Sequence, residues 1–65
     1  MLSDFAEALR KTLRSKMNDY ADALANGQAT SFEAYKELVG TITGLALAER
    51  ELLDLLKKME NDDDE

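Results

Sequence analysis

A heptad pattern runs without interruption through the second half of this chain and constrains its fold more than any other feature. Eight positions between residues 35 and 59 alternate steps of three and four, and all but one are apolar. Residues at this spacing stay on one side of an α-helix and pack against a partner helix. The pattern predicts a long helix over about residues 31–60. The eight positions, which we call the heptad seam, are Tyr35, Leu38, Ile42, Leu45, Glu49, Leu52, Leu56 and Met59.

The first part of the chain predicts a second amphipathic helix, over about residues 3–25. Its apolar residues recur every three or four positions, close to the helical period. Ser3 is the predicted N-cap, and Asn26-Gly27 is the predicted end because glycine accepts the left-handed conformation at little cost. The apolar residues of this helix are Leu2, Phe5, Leu9, Leu13, Met17, Tyr20 and Leu24.

The connection between the two helices is short and predicts antiparallel packing. Thr30 and Glu33 have the spacing of a capping box, which would start the second helix. Helices joined by so few residues are antiparallel neighbours. We therefore predict an all-α fold, an antiparallel helical hairpin that forms a single domain over residues 1–60.

The predicted register leaves the end of the second helix without a partner. Folding the chain at residue 28 places Leu13 near Gly44 and Leu2 near Leu55. The second helix is the longer one, so we expect Leu56 and Met59 to overhang, with nothing to cover them in their own chain.

One stretch offers an alternative to the two-helix fold. Gly40-Thr41-Ile42-Thr43-Gly44 combines two glycines with three β-branched residues, all of which are weak helix formers. A break here would give a three-helix arrangement. The heptad seam crosses the stretch without losing phase, which favours one continuous helix.

The apolar surface of the second helix is wider than one neighbour can cover. Val39, Ala46 and Leu53 follow one flank of the heptad seam, and Ala48 and Leu55 lie on the other. A two-helix contact needs only the narrow seam, whereas a multi-helix core needs more. The pattern favours a hairpin that assembles through its second helix. The alternative is a hairpin core with some leucines left exposed.

A row of small residues could also belong to an interface. Gly40, Gly44 and Ala48 are four residues apart, and such rows let two helix backbones approach closely. A contact between chains is one interpretation. The other is that Leu13 and Met17 of the first helix fill the space above the glycines.

Glu49 is the one charged residue of the heptad seam. A buried acid costs several kcal/mol unless it is paired, and a polar residue in a seam can fix the register or the number of partners. The candidate partners are Arg10, Lys11 and Arg50. Alternatively, the helix rotates locally and Glu49 reaches solvent.

The amino-acid composition argues against disulfides, metal sites and catalysis. The chain has 65 residues, with no cysteine and no histidine, so it lacks a disulfide, a thiolate metal site and the commonest general base. Its serines and threonines have no histidine to activate them. It also has no apolar run long enough to cross a membrane. We expect a soluble protein that is not an enzyme and uses neither cofactor nor metal.

Charge is concentrated at the C-terminus. Residues 61–65 form a predicted acidic tail, and most of the formal net charge of -6 lies in the last six residues. Such tails are usually solvated, though some dock on basic partners. A short basic patch, Arg10-Lys11 with Arg14 and Lys16, is more typical of a solvated face than of a nucleic-acid site, because the overall charge is negative.

The segment from Tyr35 to Leu55 resembles small acidic proteins that tailed bacteriophages encode among their structural and assembly genes. The shared features are Tyr35, Gly40-Thr41-Ile42-Thr43-Gly44-Leu45, Ala48-Glu49-Arg50 and the leucine-rich end that follows. Most such proteins have no assigned function, so the resemblance implies a context and no functional residue. That context is a phage particle or its assembly pathway.

These observations predict a minor virion structural or assembly protein, located in the virion or the host cytoplasm. It would act by docking its second helix on a larger capsid, portal or tail component, by associating with itself, or both. The alternative is a small regulatory binder that inhibits or chaperones a host or phage protein.

Overall fold

The computed structural model describes residues 2–63 and consists of two helices. Helix α1 spans Leu2–Ala25 and helix α2 spans Phe32–Asp63. They pack against each other as a hairpin that extends 52 Å along its longest axis. The predicted all-α antiparallel hairpin is confirmed. Helix α2 continues three residues beyond the predicted boundary at residue 60, and residues 64 and 65 of the predicted acidic tail lie outside the described residues.

Helix α1 begins one residue earlier than predicted and ends as predicted. Because the helix already includes Leu2, Ser3 lies within it and the predicted N-cap is wrong. At the other end Gly27 has a φ of 74°. The N–H of Gly27 donates to the carbonyl of Leu24 at 3.1 Å, and that of Gln28 to the carbonyl of Ala23 at 3.0 Å. These two bonds make a Schellman motif, which satisfies carbonyls that the helix end would leave unpaired.

Helix α2 is capped by Ser31 and not by Thr30. The Ser31 Oγ accepts a hydrogen bond from the Ala34 N–H at 3.1 Å, and the Ser31 carbonyl accepts the first helical bond from Tyr35 at 3.0 Å. Both bonds identify Ser31 as the N-cap. The predicted capping box of Thr30 and Glu33 is therefore wrong, and Ala34, three residues after Ser31, has no side chain that could complete a box there.

Helix α2 is continuous through Gly40–Gly44, so the three-helix alternative is wrong. The threonine hydroxyls of this stretch form hydrogen bonds to backbone carbonyls four residues earlier in the helix. Thr41 Oγ1 donates to the carbonyl of Glu37 at 2.9 Å, and Thr43 Oγ1 donates to that of Val39 at 2.8 Å. These bonds satisfy the hydroxyls within the helix. Because α2 is one helix through this stretch, the heptad seam keeps its phase across it.

The two helices form a single layer with a thin core between them. Among the residues whose exposure is described, only Ala6 and Glu49 are buried. The side chains along the contact are half-buried: Leu13, Met17, Tyr20 and Leu24 from α1, and Leu38, Ile42, Leu45, Leu52 and Leu56 from α2. A single layer covers one side of each helix and leaves the other sides open.

Candidate protein-interaction surfaces

The heptad seam faces α1 for most of its length. Five of its leucine and isoleucine residues are half-buried in the hairpin contact, and Glu49 is buried. Its two end members, Tyr35 and Met59, are 49% and 45% exposed. The seam therefore builds the hairpin, and the surfaces left for a partner are the two flanks of α2 and the ends of the seam.

Glu49 is paired with two arginines of α1. The Arg14 Nε–H donates to Glu49 Oε2 at 2.6 Å, and Arg10 Nε lies 3.6 Å from the same oxygen. The Glu49 side chain is 10% exposed, whereas those of Arg10 and Arg14 are 43% and 60% exposed. The carboxylate is thus covered by the aliphatic and charged parts of two arginines that themselves reach water. Of the two interpretations, the structure shows a buried and paired Glu49, and its rotation towards solvent does not occur.

The partners of Glu49 differ in part from those predicted. Arg10 was among the candidates, but the closest partner is Arg14, and neither Lys11 nor Arg50 forms an ion pair with Glu49. At the open end Leu2 and Leu55 line one groove, as predicted, but Leu56 lines the same groove and is half-buried. The expectation that Leu56 overhangs is therefore wrong. Met59, which we expected to be exposed, remains so.

An apolar groove opens where the free ends of the two helices meet. Its volume is ≈ 130 Å³, and Ala6, Leu52 and Leu56 form part of its lining. Four exposed side chains complete the groove, and we call them the open-end patch: Leu2, Phe5, Leu55 and Met59. Phe5 is 67% exposed and Leu55 is 58% exposed. The patch includes residues of both helices, so it exists only in the folded hairpin.

A second apolar surface starts at the turn and runs along the opposite flank of α2. Phe32 and Tyr35 stack with ring centroids 6.5 Å apart and planes inclined by 17°, and Lys36 Nζ lies 5.5 Å from the Phe32 centroid. Phe32 is 73% exposed. Val39 and Leu53 continue the same flank and are 37% and 39% exposed. We call Phe32, Tyr35, Val39 and Leu53 the turn-end flank.

The row of small residues faces away from α1. A Cβ built on Gly40 or Gly44 would meet no described atom within 4 Å outside the local helix. Leu13 and Met17 therefore do not fill the space above the glycines. Ala48 is exposed as well. The predicted close approach does not occur within the hairpin, so the row is free for contact with another molecule.

The basic patch of α1 does not form a continuous cationic face. A shallow groove of ≈ 480 Å³ runs beside it, and two acidic residues, Glu7 and Asp19, line this groove together with the basic side chains. Arg10 and Arg14 direct their Nε atoms towards Glu49. Attraction of phosphates requires uncompensated positive charge, which this arrangement reduces.

The described part of the chain holds no group of three or more metal-ligating side chains, and neither of its helices is long and apolar enough to span a membrane. Comparison with protein-family models, with curated proteins and with solved structures finds no match to this chain. The surfaces themselves are therefore the basis for a functional argument.

Proposed function

We propose that this chain is a non-catalytic minor structural or assembly protein of a tailed bacteriophage, and that it acts through helix-mediated association. The observation that carries the proposal is the exposure of large apolar side chains on both flanks of α2 after the hairpin has formed. Phe32 and Leu55, one on each flank, are 73% and 58% exposed. Groups of exposed apolar side chains are typical of protein–protein interaction sites.

The turn-end flank supports docking on a larger particle component, such as a capsid, portal or tail protein. Aromatic residues are enriched among the side chains that dominate binding energy. Phe32 and Tyr35 are already stacked, so their rings lose less freedom on binding than two independent side chains would. The resemblance of residues 35–55 to small acidic phage proteins supports the particle as the setting.

Quantitative mass spectrometry of purified particles tests this proposal. A structural protein is present in a fixed copy number per particle after stringent purification. Phe32→Ser should reduce incorporation, whereas Glu33→Ser, at a neighbouring exposed position, should not. A chain that is absent from particles and recovered with a soluble target would instead be a regulatory binder, and the structural proposal would be wrong.

A further inference from the structure

We infer that the open-end patch is a homodimer interface, in which a second copy of this chain covers the apolar groove and the open ends of the two hairpins pack together. This inference rests on the proposed helix-mediated association and names one partner for it. The occupant is identified by three features of the hairpin: its excess surface, the shape of the patch and the distribution of charge.

The hairpin exposes more surface than a compact monomer of its size. Its accessible area is 5279 Å², whereas the scaling for folded monomers gives about 4,200 Å² at 7.3 kDa. The excess is about 1,100 Å², and a standard interface buries about 800 Å² on each partner. A standard interface with one further copy would therefore remove most of this excess.

The patch combines a projection with a cavity, as a two-fold interface requires. In such an interface the same surface of both copies must be complementary to itself. Phe5 projects from the rim of the groove and is 67% exposed. The groove volume of ≈ 130 Å³ is close to the roughly 150 Å³ of an apolar cavity that accepts benzene. Each copy can therefore place Phe5 in the groove of the other.

The charge of the C-terminal end favours a dimer in which the two hairpins point in opposite directions over one in which they point the same way. Residues 60–65 carry five acidic side chains and no basic one. Aligned hairpins would bring two such ends together, and like charges placed side by side are unfavourable. A two-fold axis that passes through the patch, perpendicular to the helices, directs the two acidic ends away from each other. This arrangement places Leu55 of the two copies close to the axis.

Sedimentation equilibrium with a matched pair of variants tests the interface. Phe5 and Phe32 are both phenylalanines of similar exposure, at opposite ends of the hairpin. Phe5→Glu should weaken dimerisation about tenfold or more, the effect of removing an aromatic anchor. Phe32→Glu should leave the dissociation constant within about twofold, because it lies outside the patch. Circular dichroism establishes that both variants remain helical.

Cross-linking provides a readout that does not depend on stability. The chain has no cysteine, so a single introduced thiol reports one position. Leu55 and Leu47 are 58% and 57% exposed. A short bis-maleimide should link two copies of Leu55→Cys efficiently and two copies of Leu47→Cys poorly. Equal linking of the two variants would contradict the assignment.

Several results would overturn the inference. A chain that stays monomeric at about 100 μM, or one whose dimer is weakened by Phe32→Glu and not by Phe5→Glu, has no interface at the open end. An assembly larger than a dimer also contradicts it. A monomer that is nevertheless incorporated into particles, in a manner that depends on Phe32, would overturn this inference and leave the proposed function standing.

Discussion

Arg14 and Glu49 join the two helices across the hairpin, with the guanidinium Nε–H donating to the carboxylate Oε2 at 2.6 Å. The carboxylate occupies the one seam position that is not apolar, and Arg10 approaches the same oxygen from one turn earlier in α1. A buried charge requires its partners at a defined distance, whereas apolar side chains tolerate sliding. The pair therefore selects one register for the hairpin, at some expense in stability.

Replacing Glu49 by leucine should stabilise the hairpin by about 1 kcal/mol, the low end of the range for exchanging a whole buried ion pair for apolar residues, because both arginines remain. Arg10 and Arg14 are exposed enough to reach water once the carboxylate is gone. Urea unfolding at a fixed chain concentration measures the change, since association also contributes to stability. Glu51→Leu, at an exposed position, should stay within about 0.5 kcal/mol of the parent chain. A large loss of stability for Glu49→Leu would contradict this account.

Arg14→Ala should destabilise the hairpin more than Arg10→Ala. Only Arg14 makes a hydrogen bond to Glu49, while Arg10 Nε, at 3.6 Å, has no hydrogen-bond partner among the described residues. We expect a cost of about 1–2 kcal/mol for Arg14, in the range for a hydrogen bond to a charged group that is partly exposed, and less for Arg10. Thermal unfolding of the two variants and of Lys11→Ala, as the control, gives the order. Equal losses of stability for all three variants would show that the Arg14–Glu49 hydrogen bond makes no specific contribution.

The glycines should respond to alanine in opposite directions. Gly27→Ala forces a side chain onto a φ of 74° and should cost about 1 kcal/mol. Gly40→Ala and Gly44→Ala meet open space in the hairpin and should each stabilise it by up to about 1 kcal/mol through helix propensity. Helicity and urea unfolding of the three variants show whether each change raises or lowers the stability of the hairpin. A loss of stability for Gly40→Ala or Gly44→Ala would mean that another molecule already occupies the space beside the glycine row.

The start of α2 should depend on Ser31. Ser31→Ala removes the hydroxyl that accepts the Ala34 N–H and should cost about 1 kcal/mol. Thr30→Ala, one residue earlier, should change stability by only a few tenths of a kcal/mol, because its side chain makes no hydrogen bond within the described structure. If Thr30→Ala proved the more costly variant, the cap would lie at the residue that the sequence pattern first indicated.

Periodicity was sufficient to predict the two helices, and most of the details that it missed concern their ends. The spacing of apolar residues identifies a helix and its buried side, but not the residue at which the chain turns. Ser31 and Thr30 are both good caps, and the spacing of apolar residues does not choose between them. The spacing also does not show how far a long side chain reaches along the neighbouring helix, which is why Arg14 was missed as the closest partner of Glu49.

The exposed surfaces were only partly predictable from the sequence. The heptad pattern identified the apolar width of α2, including Leu53 and Leu55 on its two flanks. It could not show that the seam itself would be used within the chain, because a partner helix from the same chain and one from another chain satisfy the same spacing. The groove beside Phe5 needs side chains from both helices, so it becomes visible only once the hairpin is formed.

Because α2 is uninterrupted, it fixes the distance between the surfaces at its two ends. Phe32 and Met59 lie near the two ends of one helix, separated by 27 steps of the chain. At the standard rise these residues are about 40 Å apart. A hairpin that binds one partner near its turn and a second near its free ends would keep the two partners at that separation. Inserting or deleting a whole heptad in both helices would lengthen or shorten the span by about 10 Å while preserving every apolar face.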